Sequence, residues 1–216
     1  MNPLPASGTS EPGEELRSRT RWAAIAVVYL CGVVAAMGFG KFASVGPMVA
    51  AGLGLSLPEL GWVISAVVGV GAVAGLPAGY LVRRFGAERS LVAGLVLIAA
   101  AGAASVAAGG FAWLLALRGV EGVGYLLVTI ACPALVLRLA RERDRGTALS
   151  IWATFVPVGL GLSTLAGGAA GSALGWRGWT GLIAGLTFVM ALAARARLPR
   201  GSGGGRRPGP SPGRER

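Results

Sequence analysis

Six long apolar segments constrain the fold of this chain more than any other feature of its sequence. They lie at about Trp22–Gly46, Leu60–Leu81, Leu91–Ala108, Phe111–Ala140, Thr147–Leu174 and Trp179–Ala194. Each is near or above the ~20 residues that an α-helix needs to span about 30 Å of hydrocarbon. None shows the strict alternation of a barrel strand, and unpaired backbone groups are costly in lipid. The segments therefore predict an all-α, polytopic membrane protein with six transmembrane helices.

Composition supports this prediction and excludes several classes of function. Hydrophobic residues make up 54% of the chain and charged residues only 13%, whereas soluble domains carry about 25% charged residues. The chain has no histidine, and its two cysteines, Cys31 and Cys132, both lie in apolar segments. We therefore expect no metal site, no disulfide framework and no cofactor. An intramembrane enzyme is not expected either, because a Ser–His pair cannot be formed.

The arginines are distributed unevenly between the two sides of the predicted bundle. Seventeen lie before the first segment, between the second and third, between the fourth and fifth, or after the sixth. Only Lys41 and Arg177 fall on the other side, and Arg118 lies within the fourth segment. This pattern predicts that both termini are cytoplasmic, in the inner (plasma) membrane of the cell. Anionic lipid headgroups, rather than nucleic acid, would then be the partners of the basic loops and account for the net charge of +11.

The two ends of the chain differ from the apolar region. Residues 1–20 are polar, and no small-residue cleavage site follows a short apolar region, so they predict a disordered cytoplasmic tail rather than a signal peptide. Residues 21–198 form the predicted transmembrane domain. Residues 199–216 consist of Gly, Pro, Arg, Ser and one Glu, which predicts a disordered basic tail. This tail would either bind the membrane surface or have no specific role, as the out-of-frame end of a longer gene; we favour the second.

The loop between the second and third segments carries a recognisable pattern. It reads Gly-Tyr-Leu-Val-Arg-Arg-Phe-Gly-Ala-Glu-Arg over residues 79–89, and it resembles the G-x-L-a-D-R-x-G-R-r signature of the major facilitator superfamily. Arg83 stands where that family has an acidic residue. The resemblance implies a gating loop that sets the balance between outward-open and inward-open states, and the inverted charge predicts an altered bias. The loop residues concerned are Gly79, Arg83, Arg84, Gly86, Glu88 and Arg89.

Three further motifs follow in the order that this family has them. Residues 118–124 are similar to its R-x-x-x-G-x-G pattern, 145–148 to its R-G-x-A pattern, and 176–179 to its W-R-x-x-F region. The resemblance covers residues 20–195 and is closest to the cyanate and nitroimidazole permease-like branch. The fifth segment lacks the central Gly-Pro of drug–proton antiporters. Family members have twelve helices in two halves, so the resemblance implies that this chain is the N-terminal half of such a bundle.

Ionisable residues at membrane depth are expensive and by default indicate function. Arg118 lies seven residues after Phe111, about 10 Å along a helix, and Glu121 lies on the same face, three residues later. The pair could attract an anionic substrate or move a proton in the cavity. The alternative is a neutralised structural ion pair that holds the fourth helix against a neighbour. Function is favoured, because the resemblance implies that the matching arginine of the family acts in its cavity or coupling machinery.

Lys41 is the only lysine in the chain. Its place near the end of the first segment predicts either a lysine that extends to the lipid headgroups or a cation at the mouth of a cavity, and the first is favoured. Tyr125 and Thr129 complete the set of candidate lining residues.

These observations predict transport of a small solute, an organic or inorganic anion, by alternating access. One six-helix half supplies one wall of a cavity, so transport would need a second half, from a homodimer or a separate chain. The alternative is a truncated membrane protein that moves nothing, or a structural half-partner.

Overall fold

The computed structural model describes residues 20–198, and within this range every element is helical. The α-helices are α1 (Trp22–Leu53), α2 (Leu57–Phe85), α3 (Ala87–Ser105), α4 (Phe111–Leu139), α5 (Arg145–Ala153) and α6 (Phe155–Arg197), with a 3₁₀ turn at Glu142–Asp144 before α5. Five helical stretches are long and apolar enough to cross a membrane, and the last runs from Glu142 to Arg197. The all-α membrane fold is therefore confirmed. The tails predicted at residues 1–20 and 199–216 lie, apart from Thr20, outside the described residues.

Helix α6 is folded back on itself at Gly175, where the backbone leaves the helical region with φ +68°. Its first arm, 155–174, runs alongside α1 in the same direction, and its second arm, 176–197, runs back along it. On the return, the Trp179 indole donates to the Lys41 carbonyl at 3.1 Å. Farther along, the Cys31 thiol lies 3.9 Å from the Met190 carbonyl. The two arms supply the fifth and sixth predicted crossings.

Small residues let the first arm of α6 lie close to α1. A Cβ atom added at Gly159 would come within 2.6 Å of the Val33 carbonyl oxygen, and one added at Gly171 within 2.7 Å of the Val45 side chain. Such close backbone approach is how helices associate in lipid, where apolar contact alone gives no advantage. The packing of α1 against α6 therefore depends on glycine.

The glycine row of α2 behaves differently. Nothing in the described part of the chain lies within 4 Å of a Cβ added at Gly71, Gly75 or Gly79. Between them, Val73 and Leu76 are 85% and 91% exposed. The face of α2 that carries this row therefore does not pack against another described helix.

Several boundaries differ from the sequence prediction for local reasons. Helix α1 continues past the predicted end at Gly46 to Leu53, with a kink at Val45 (φ −118°, ψ 16°), because Pro47 removes one backbone hydrogen bond without ending the helix. Between α2 and α3 the predicted loop shrinks to Gly86 alone, with φ +90°. The motif at residues 79–89 is thus the end of one helix, a one-residue turn and the start of the next.

The core formed by residues 20–198 has two apolar clusters, and α4 contributes to both. Leu114 belongs to the cluster that contains Phe42 and Trp179, whereas Val128 belongs to the cluster that contains Leu91. Arg118 and Glu121 lie between those two positions of α4. The fold therefore places charged side chains where the two apolar clusters meet.

Candidate functional site

A cluster of three charged side chains lies inside the helix bundle. The carboxylate of Glu121 on α4 bonds the Lys41 ammonium on α1 through Oε1, and its Oε2 lies 2.5 Å from the Arg118 guanidinium. The exposed fractions are 1% for Lys41, 2% for Glu121 and 0% for Arg118. One carboxylate therefore bridges two buried cations.

Arg118 also bonds the backbone of two other helices. Its Nε donates to the Val63 carbonyl of α2 at 3.1 Å. Its two terminal nitrogens donate to the carbonyls of Gly38 at 3.2 Å and Phe39 at 3.0 Å on α1. The planar guanidinium supplies donors in a fixed fork, which suits several acceptors at once. Arg118 thereby fixes α4 to α1 and α2.

The aromatic ring of Phe42 lies beside both cations. The Lys41 Nζ is 5.0 Å from the ring centroid and the Arg118 Cζ is 5.1 Å from it. Phe42 itself is fully buried. A cation near an aromatic face gains electrostatic stabilisation, and more where water is excluded. The ring therefore offsets part of the cost of burying two positive charges.

Helix α3 passes close to the Lys41–Glu121 ion pair because Gly102 has no side chain. A Cβ added there would lie 3.3 Å from the Lys41 Nζ and 3.4 Å from the Glu121 Oε1. On its other side it would lie 3.2 Å from the Ala184 Cβ of α6. The absence of a side chain at Gly102 therefore allows four helices to meet at the ion pair.

The cluster carries a net charge of +1 when its members are ionised, since two cations share one carboxylate. Placing an unbalanced charge at membrane depth costs a free energy on the order of several kcal/mol. The side chains around Arg118, Glu121 and Tyr125 leave no room for a water molecule. Among the described residues, Glu121 is the one acceptor within hydrogen-bond distance of the Lys41 ammonium. The site thus has an excess positive charge and unused donors.

The structure confirms one predicted contact and corrects another. Arg118 and Glu121 form the predicted pair between neighbouring turns of α4. The expectation that Lys41 extends to the lipid headgroups is wrong, because its ammonium turns inward to Glu121. Phe42 and Gly102 were missed. The available signals were the glycines at positions 38 and 40, which allow close packing beside Lys41 and Phe42, and the run of small residues around Gly102.

The two other predicted lining residues lie at different distances from the cluster. Tyr125 is half-buried and stacks on Phe39, with ring centroids 5.4 Å apart. The Thr129 hydroxyl donates to the Leu126 carbonyl of its own helix at 3.0 Å. Tyr125 therefore lies next to the ion cluster, whereas Thr129 is not brought to it.

The residues of the predicted gating loop lie at the arginine-rich end of the bundle. Glu88, at the start of α3, bonds Arg138, at the end of α4, at 2.7 Å. Arg83, Arg84 and Arg89 are exposed. The ion pair that joins this loop to another helix is thus made by Glu88 and not by Arg83.

Comparison with known proteins identifies the fold to which this site belongs. The family model of the Major Facilitator Superfamily matches residues 28–216. The chain belongs to the major facilitator superfamily. It is therefore an integral membrane protein of a family of solute transporters. The family membership inferred from the motifs is confirmed. The cyanate and nitroimidazole permease-like branch stays a prediction.

Individual relatives in this superfamily cover part of the chain. It is 34% identical over 130 residues to the uncharacterized MFS-type transporter Rv1250 of Mycobacterium tuberculosis, which is 60% of this chain and 22% of that protein. It is 29% identical over 138 residues to the arabinose-proton symporter of Escherichia coli K12, covering 64% and 29%. It is 32% identical over 147 residues to the 3-(3-hydroxy-phenyl)propionate transporter of the same strain, covering 67% and 36%. The matches thus span about a fifth to a third of these relatives.

Proposed function

We propose that this member of the major facilitator superfamily moves a small anion across the membrane by alternating access. The observation that supports this most strongly is the net charge of +1 in the buried cluster of Lys41, Glu121 and Arg118. A bound anion would balance that charge, whereas a neutral sugar would leave it unbalanced. Because charge-assisted hydrogen bonds are stronger than neutral ones, the cluster favours an anionic ligand.

An organic anion fits the surroundings of the cluster better than a bare inorganic ion. Phe39 and Tyr125 form a stacked aromatic pair beside Arg118 and Glu121. Opening of this pair would give a ligand an apolar surface next to the two cations. The carboxylate of the ligand would compete with Glu121 for the Lys41 ammonium. We therefore propose a carboxylate with an apolar or aromatic body as the substrate.

Transport by this mechanism requires a second six-helix half. The exposed face of α2, with its glycine row, is one surface where it would pack. The first arm of α6 offers another, since Leu165 is 79% exposed and nothing in the described structure lies within 4 Å of a Cβ at Gly161 or Gly168. The second half would be another copy of this chain, a separate chain, or a continuation of the gene.

The arginine distribution supports an orientation in the plasma membrane. Arg89, Arg138 and Arg195 lie at one end of the bundle, whereas Arg177 lies at the other, where it bonds the Val106 carbonyl at 2.9 Å. By the positive-inside rule the first end is cytoplasmic, with both termini on that side. Glu88 and Arg138 would then form a cytoplasmic latch between α3 and α4, and the exposed Arg83 would bias the gate.

Uptake into proteoliposomes tests this proposal. The chain is reconstituted alone and together with the second half of the Escherichia coli 3-(3-hydroxy-phenyl)propionate transporter. Labelled 3-(3-hydroxyphenyl)propionate, nitrate and arabinose serve as probes. We expect the carboxylate to accumulate in at least one of the two arrangements, arabinose to stay outside, and the Lys41→Met variant to lose uptake.

Two results would contradict the proposal. Uptake of arabinose equal to that of the carboxylate would show that the excess charge does not select the substrate. No uptake of any probe in either arrangement would favour the alternative, a membrane protein that does not transport. The exposed variant Arg143→Gln serves as the matched control, because it removes one positive charge outside the helix bundle.

A further inference from the structure

A groove runs between α3 and the second arm of α6 on the outer surface of the bundle. Its apolar part has a volume of about 430 Å³ and is lined mainly by Ala99, Ala103, Gly185 and Phe188. At Val96 it continues into a second hollow of about 290 Å³, which Arg89 and Arg195 line together with apolar residues. Val96 belongs to both parts, so the two form one continuous groove.

The shape of the groove follows from small side chains at its floor. A Cβ added at Gly102 would lie 3.2 Å from the Ala184 Cβ, so the two helices touch along this line. At the far end, Arg177 on α6 donates to the carbonyls of Val106 at 2.9 Å and Ala108 at 3.0 Å. These bonds join α6 to the chain after α3 beyond one end of the groove, whereas the exposed Arg89 and Arg195 line its other, open end.

The open end carries a positive charge. Arg89 and Arg195 are exposed, and within residues 20–198 neither has a carboxylate within salt-bridge distance. Glu88 also lines this hollow, but its carboxylate is bonded to Arg138 at 2.7 Å. Two arginines from two helices thus stand at the mouth of an apolar groove.

We propose that the groove binds an anionic phospholipid, with its phosphate between Arg89 and Arg195 and one acyl chain along Val96 and Phe188. From Arg89 to Ala103, α3 rises about 21 Å, which exceeds the ~15 Å of one hydrocarbon leaflet. The groove is therefore long enough for an acyl chain. Charged headgroups are attracted to basic residues near the membrane surface, and two arginines select an anionic headgroup over a zwitterionic one.

The test measures lipid retention by the purified chain after delipidation and exchange into vesicles of equal parts phosphatidylglycerol and phosphatidylcholine. Native mass spectrometry counts each bound lipid. We expect the ratio of bound phosphatidylglycerol to bound phosphatidylcholine to fall about tenfold in the double variant Arg89→Gln/Arg195→Gln. The matched control Arg143→Gln/Arg145→Gln removes the same charge at the 3₁₀ turn and should keep the preference.

A second variant tests the acyl chain separately from the headgroup. Nothing in the described structure lies within 4 Å of a Cβ added at Gly185, so Gly185→Leu fills the groove without disturbing the bundle. It should reduce retention of both lipids severalfold. Equal losses in the two double variants would overturn the headgroup site, because they would indicate general surface attraction. Undiminished retention in Gly185→Leu would overturn the placement of the chain.

Discussion

Glu121 of α4 bonds Lys41 of α1, which lies 80 residues earlier in the chain, and both side chains are buried. The same carboxylate holds Arg118 at 2.5 Å. One acidic residue therefore neutralises one of two cations inside an apolar bundle, and the other cation remains in excess. Both the stability of the bundle and the proposed substrate depend on this imbalance.

Replacement of Glu121 should destabilise the bundle strongly. Glu121→Gln leaves two buried cations without a carboxylate, and loss of one partner from a buried ion pair costs about 3–5 kcal/mol. We expect a marked fall in the thermal unfolding temperature of the detergent-solubilised chain. An unfolding temperature within a degree or two of wild type would show that the carboxylate is not the counterion.

Replacement of Lys41 should leave the stability of the bundle unchanged or raise it. Lys41→Met removes the excess cation and leaves Arg118 paired with Glu121, and apolar replacement of buried charges is often neutral or stabilising. The thermal unfolding temperature should stay equal to that of wild type or rise. A fall as large as that of Glu121→Gln would mean that Lys41 is a structural ion that the fold requires.

The close approach of α3 to the ion pair can be tested at Gly102. Gly102→Ala places a Cβ 3.3 Å from the Lys41 Nζ and 3.2 Å from the Ala184 Cβ. Because the Ala184 contact is with a second helix, overpacking of about 1–3 kcal/mol is expected, seen as a lower unfolding temperature. Gly185→Ala, which meets nothing within 4 Å in the described helices, is the control and should not be destabilised.

The one-residue turn between α2 and α3 should require glycine. Gly86 has φ +90°, a conformation that costs a residue with a side chain about 1–3 kcal/mol. Gly86→Ala should therefore unfold at a lower temperature. Gly79→Ala, in the open face of α2, should be neutral or stabilising by up to about 1 kcal/mol, since alanine favours helix. Equal effects of the two variants would argue against the turn geometry.

The Glu88–Arg138 ion pair should contribute little to stability. The Arg138 side chain is 55% exposed, and exposed pairs contribute about 0.2–1 kcal/mol because water screens them. A double-mutant cycle with Glu88→Gln and Arg138→Gln should give a coupling energy in that range. A coupling above about 2 kcal/mol would indicate a tighter latch than the exposed geometry provides.

Much of the fold could be predicted from the sequence, because membrane-spanning helices are local features. Apolar length located the crossings. Backbone hydrogen bonding in lipid allows helices or closed barrels, and the lack of residue alternation left helices. The turn at Gly86 and the reversal at Gly175 depend on single backbone dihedrals, so apolar length could not place them. The glycines of α2 and α6 look alike in sequence, yet Gly159 and Gly171 of α6 pack within the described bundle whereas Gly71 and Gly75 of α2 do not.

Part of the candidate site could also be predicted, because two of its residues are close together in the sequence. Arg118 and Glu121 are three residues apart on one helix, so helical geometry alone brings them together. Lys41 reaches Glu121 only through the packing of α1 against α4, which no local pattern specifies. Gly102 is one of many glycines, and only the structure distinguishes it as the residue beside the ion pair.

Equilibrium binding of an anion to the purified chain tests the central claim most directly. Labelled 3-(3-hydroxyphenyl)propionate is titrated against wild type, Lys41→Met and Lys41→Arg, with arabinose as the neutral comparison. If the excess charge of the cluster binds the anion, wild type and Lys41→Arg bind it, Lys41→Met binds at least tenfold more weakly while remaining folded, and arabinose does not compete. Equal affinity of folded wild type and Lys41→Met for the anion would contradict the account.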